Sequence, residues 1–136
     1  MIRKESRWDA YAYRVGKFLL DETVKTVEEG QWVTIKGGKV VIAGKADKKA
    51  FICIGSKREG RDQVSGKVMQ KVSFLVGPFA GLKVTNYDTH GSYQDMTPLC
   101  VKDGGILTPV TAPANEVIVA YAVGAPVDGH LEIISA

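Results

Sequence analysis

The chain has 136 residues, enough for one ordinary domain and too few for two. Hydrophobic residues make up 45% and charged residues 24%, globular values that exclude general disorder. The net charge of +3 is unevenly spread: residues 1–71 hold 16 basic and 9 acidic side chains, and residues 72–136 hold 2 and 6, which disfavours a uniformly basic nucleic-acid binder.

The first 22 residues read as an N-terminal arm. Met1-Ile2-Arg3-Lys4-Glu5-Ser6-Arg7 is charged and has no apolar core, so no secretory signal is expected and the product should stay in the cytoplasm of the cell that makes it. Trp8, Tyr11, Val15, Phe18 and Leu19 share one face at helical spacing, which predicts either a short helix over 7–15, interrupted by Gly16, or an irregular arm that orders on contact. The aromatics Trp8, Tyr11, Tyr13 and Phe18 either cap the chain's own core or dock on a neighbour.

Residues 23–136 read as one β domain. Val24–Val27 is a short strand candidate. Trp32–Lys36 and Lys39–Ala43 flank Gly37-Gly38, a strong hairpin pattern. Phe51–Ile54 is a short apolar strand, and Gly55–Gly66 a long charged loop, exposed and mobile. Lys67–Val76 alternates, with Val68, Gln70, Val72, Phe74 and Val76 on one face. A Gly77–Gly81 turn leads to a strand over Leu82–Tyr87. Pro98–Lys102, Ile106–Thr108, Glu116–Val123 and His130–Ile134 complete the strands, with turns at Asp103-Gly104-Gly105 and Ala125–Gly129. Eight to ten short strands without a helix after residue 22 define an all-β fold, a small barrel or sandwich with an N-terminal arm. The stretch 104–127 is poor in charge, but Pro109, Pro113 and Pro126 exclude a continuous membrane helix.

Catalytic patterns are missing. His90 and His130 stand alone outside any metal-binding spacing, so no metal is expected. Cys53 and Cys100 lie in apolar runs without a CxxC and read as buried thiols acting as small hydrophobes. The acidic pairs Asp21-Glu22 and Glu28-Glu29 read as solvated ends rather than an acid/base dyad. Gly37-Gly38-Lys39 joins two strands and has Val40 where a phosphate loop needs Ser or Thr. No enzymatic role and no cofactor follow from these residues. Lys36, Lys39, Lys45, Lys48, Lys49, Lys57, Arg58 and Arg61 fall within 36–61, as in a single-strand-binding barrel. Only Phe51 interleaves with them, so a stacking platform is lacking and nucleic acid is the second reading.

Three stretches, in order, give a resemblance to the small head-decoration (capsid cement) proteins of tailed bacteriophages. Glu29-Gly30-Gln31-Trp32-Val33 leading into Gly37-Gly38-Lys39-Val40-Val41 resembles the opening hairpin of those domains. Lys71–Phe79 is similar to their central strand, which ends at a glycine turn, and Ala125–Ile133 resembles their closing turn and strand. The resemblance covers 23–136. It implies a β-tulip-like domain and a non-enzymatic protein of the virion, on the outside of the head. It implies trimers at threefold and quasi-threefold positions that bridge subunits of the major capsid protein. Another phage structural role, a head-fibre base or tail-associated domain, is the nearest alternative. In this reading Trp8, Tyr11, Tyr13 and Phe18 dock the arm, and the basic residues Lys48, Lys49, Lys57, Arg58 and Arg61 face an acidic neighbour.

Overall fold

The computed structural model describes residues 9–10, 12–61, 64 and 68–136. The described residues form eleven strands: β1 (Asp9–Ala10), β2 (Tyr13–Leu19), β3 (Trp32–Lys36), β4 (Lys39–Ile42), β5 (Phe51–Arg61), β6 (Val68–Val76), β7 (Phe79–Val84), β8 (Pro98–Lys102), β9 (Ile106–Pro109), β10 (Ala120–Ala122) and β11 (Leu131–Ser135). The described residues include no helix, so none long and apolar enough to cross a membrane.

The strands make two antiparallel sheets: a five-stranded one in the order β2-β6-β5-β3-β4 and a six-stranded one in the order β1-β7-β11-β10-β8-β9. This is a β-sandwich, as the strand count and glycine turns predict. The five-stranded sheet curls until Leu20, just past β2, forms one parallel bridge with Val40 of β4. A single bridge is not a ladder, and the barrel does not close.

Alternation along the strands fills two cores. Trp32, Ile52 and Leu75 point from the five-stranded sheet toward Leu82, Val84, Leu99, Leu131 and Ile133 of the six-stranded one, all buried. Each fully buried aliphatic side chain there contributes roughly 1.5–3 kcal/mol. The sequence neighbours Val33, Cys53 and Phe74 point the other way, into the curl, with Val40 and Val72. Val27, buried, and Val24, partly buried, close that second core from an irregular segment. The strand expected at Val24–Val27 is therefore a cover.

Turn chemistry sets the corners. Gly37 and Gly38 (φ 58° and 79°) make the two-residue β3–β4 hairpin turn, and Asp128-Gly129 (φ 51° and 75°) an equivalent turn before β11. The two sheets are tied where Gly105, in the β8–β9 turn, accepts the Trp32 N–H at 2.9 Å.

Two expectations are corrected. Residues 9–19 do not stand apart as an arm or a helix: β1 pairs with β7 and β2 with β6, so the segment supplies an edge strand to each sheet. Gly55–Gly66 is not mainly a loop, because β5 continues to Arg61 and stays paired with β6 across two register shifts (Gly55 opposite Ser73, then Arg58 opposite Lys71 and Arg61 opposite Val68). Shorter shifts occur elsewhere. β7 begins at Phe79 and ends at Val84, and of the Glu116–Val123 run only Ala120–Ala122 is strand.

Candidate functional site

The residues singled out as an interaction surface separate into distinct places. Trp8 and Tyr11 lie outside the described residues. Tyr13, at the start of the edge strand β2 opposite Val76, is 76% exposed. Phe18 turns inward instead. Its ring stacks on Phe74 at 6.0 Å in the second core, and the Lys17 ammonium sits 5.2 Å from its centre. Phe18, partly buried, thus gives part of its apolar surface to the chain's own core, the other place the sequence allowed for these aromatics. Lys57, Arg58 and Arg61 have their backbone in β5, and their side chains fall outside the described set. Lys48 and Lys49 are exposed on the connection between β4 and β5.

Those two lysines border a groove of about 540 Å³. Its buried floor comes from Trp32, Ile52, Leu75 and Phe79, and Val117–Val119 and the residues at the end of β11 line it as well. Trp32 is 2% exposed, and its indole N–H is buried without an acceptor among the described residues. Such an orphan donor costs about 1–3 kcal/mol. The sequence reading missed Trp32 as a site residue because its β-branched neighbours mark it as core.

The cysteines are buried and free, as their apolar contexts predict. The Cys100 thiol donates to Glu116 Oε2 at 3.1 Å. Burial first, then this bond to an anion, pushes its pKa up to about 12. The thiol therefore stays protonated at neutral pH and cannot serve as a thiolate nucleophile. Burial also raises the Cys53 pKa. Glu116, drawn down mainly by the Cys100 thiol, also accepts from the Thr111 N–H and hydroxyl, at 3.2 and 3.1 Å. Its role is to pin the 111–116 loop.

The histidines join no site. The exposed His90 donates its backbone N–H to Asp88 Oδ1 at 3.0 Å, and His130 Nδ1 lies 2.9 Å from the Asp128 carbonyl oxygen. Asp88 organises its surroundings as a structural knot. It pairs with Lys102 at 3.2 Å, and its carbonyl accepts the Tyr93 hydroxyl at 2.7 Å. The His90 N–H, then Lys102, hold its carboxyl below the usual range. Among the described residues no group of three or more His, Cys, Asp or Glu side chains is placed to hold a metal ion.

Comparison with known proteins finds no matching family model, no matching curated protein and no matching solved structure.

Proposed function

We propose that this chain is a structural protein of a virus particle, a decoration protein that binds the outer surface of a tailed-phage head and bridges subunits of the major capsid protein. The observation that carries this reading is Tyr13, an aromatic side chain 76% exposed on the edge strand of a sandwich with two packed cores. An exposed ring on a rigid strand loses little entropy on docking, and aromatic anchors supply much of the energy of protein interfaces. The ordered resemblance in the opening hairpin, central strand and closing turn supports the same reading. Many copies of a clamp with one modest contact each raise the cost of separating shell subunits, so no single strong site is needed. Self-association as a trimer belongs to this proposal.

The nucleic-acid reading has weaker support. Phe51, the one aromatic within 36–61, lies 5.1 Å from Phe74 in the second core rather than out among the lysines.

The test is decoration itself. Purified chain is mixed with expanded heads that lack a decoration protein, and bound copies are counted after sedimentation. The proposal expects saturable binding in multiples of three, weakened roughly tenfold or more by Tyr13→Ala with the fold retained. Heads left bare at saturating protein, with tight salt-sensitive binding to single-stranded DNA instead, would overturn it.

A further inference from the structure

The run Glu116-Val117-Ile118-Val119-Ala120-Tyr121-Ala122-Val123 has the composition of one continuous strand. The sheet takes up only part of it. Val119 still donates its N–H to the Leu99 carbonyl at 2.9 Å and accepts from the Ala136 N–H at 3.2 Å. Ile118 and Val117, one and two residues further out, make no hydrogen bond with any described residue. They nonetheless line the groove, and Val117 is 41% exposed. β-Branched residues take up an extended backbone at little further entropic cost, so this segment is strand-forming and has no ladder partner among the described residues.

Lys48, Lys49 and Ala50 line the same groove, lie outside the ladders, and both lysines are exposed. The buried floor is apolar, and Trp32 brings an indole N–H that has no acceptor among the described residues. The volume of about 540 Å³ falls within the range of small-molecule clefts, but a compact ligand would leave the backbone of Val117 and Ile118 as unpaired as before. An added strand would not.

We propose that this groove accepts an extended segment of a partner protein as an extra strand beside Val117–Val119. The segment alternates apolar side chains, set on the floor, with acidic ones, which meet Lys48 and Lys49. Backbone hydrogen bonds supply affinity, and the alternate pockets and charges supply selectivity. This holds whether or not the partner is a coat protein.

The experiment uses the isotope-labelled 136-residue chain carrying Trp8→Phe, so that Trp32 gives the single indole signal. It is titrated with a capped peptide of alternating valine and glutamate, with a valine–lysine peptide as control. The glutamate peptide should shift the Trp32 indole resonance and slow amide exchange at Val117 and Ile118 about tenfold or more. The double variant Lys48→Glu/Lys49→Glu, altered only at exposed side chains, should bind it at least about tenfold more weakly. Absence of protection at saturating peptide, equal binding of the lysine peptide, or unchanged affinity in the double variant would each overturn the proposal. So would decanoate shifting the Trp32 signal as strongly without protecting Val117 and Ile118, which would assign the groove to a small amphiphile.

Discussion

Two glycines with similar backbone angles carry different weight. Gly38 has φ 79°, yet an added Cβ would meet nothing within 4 Å. Gly38→Ala should cost only the left-handed backbone penalty, about 1–2 kcal/mol. Gly105 has φ 70°, and an added Cβ would stand 2.5 Å from the Trp32 carbonyl oxygen, where backbone cannot yield cheaply. Gly105→Ala combines the backbone penalty with a forced separation of the two sheets and should cost about 3 kcal/mol or more, measured by denaturant unfolding. A second prediction at this scale concerns Cys100. Its pKa of about 12 lies above the ordinary thiol value of 9.0, so the native state holds its proton where the unfolded state has lost it. The stabilising contribution is complete below pH 9 and is lost as pH rises from there toward 12. Native protein should resist alkylation at Cys100 at pH 8 and react once unfolded; rapid labelling of the folded chain would contradict the buried, protonated thiol.

Among the elements, β2 shows best how packing overrode spacing. Val15 and Phe18 are three apart, a helical separation, yet both reach the second core because the register slips between them, around Gly16-Lys17. A bulge adds a residue to one strand and resets the alternation, so an i, i+3 pair on one face fits a bulged strand as well as a helix. The hairpin of β3 and β4, the alternation of β6 and the β8–β9 turn were legible because clean period-2 patterns meet at glycines. β5 beyond Ile54 was not: Gly-Ser-Lys-Arg-Glu-Gly-Arg contains no apolar residue, so its pairing with β6 leaves no alternation to read. The groove was illegible for another reason, since it joins residues 32, 48–52, 75–79 and 117–119, far apart in the chain. The place of β2 changes what truncation should do. Removing residues 1–18 takes β1 and nearly all of β2, uncovering β6 beside Phe74. That truncated chain should lose several kcal/mol of stability, and Phe18→Ala alone about 2–3 kcal/mol, read from the shift in denaturation midpoint. An unchanged midpoint for Phe18→Ala would mean that its ring does not serve the second core.

For the whole molecule, the uneven charge becomes a spatial one. The five-stranded sheet is built entirely from residues 13–76, and the six-stranded sheet, apart from β1, from residues 79–135. Among the described side chains, residues 12–71 hold nine basic and five acidic groups and residues 72–136 hold two and six, so the segments that build the two sheets carry opposite net charge. Within each layer there are local pairs among the described residues: Lys36 with Asp47 at 3.2 Å in the first, Lys102 with Asp88 in the second. Exposed pairs of this kind add little stability, so the charge separation acts on encounters with other molecules more than on the fold. A body with one basic and one acidic layer attracts a neighbour of matching polarity from beyond contact distance, and it repels the same neighbour turned around. Raising sodium chloride from 50 mM to 500 mM shortens the screening length from roughly 14 Å to about 4 Å and removes that steering. Association with heads should then slow by about tenfold or more while the unfolding midpoint stays nearly constant. Binding kinetics on immobilised heads, run beside thermal unfolding in the same buffers, separate the two effects. An association rate indifferent to salt would show that the two layers carry charge without using it.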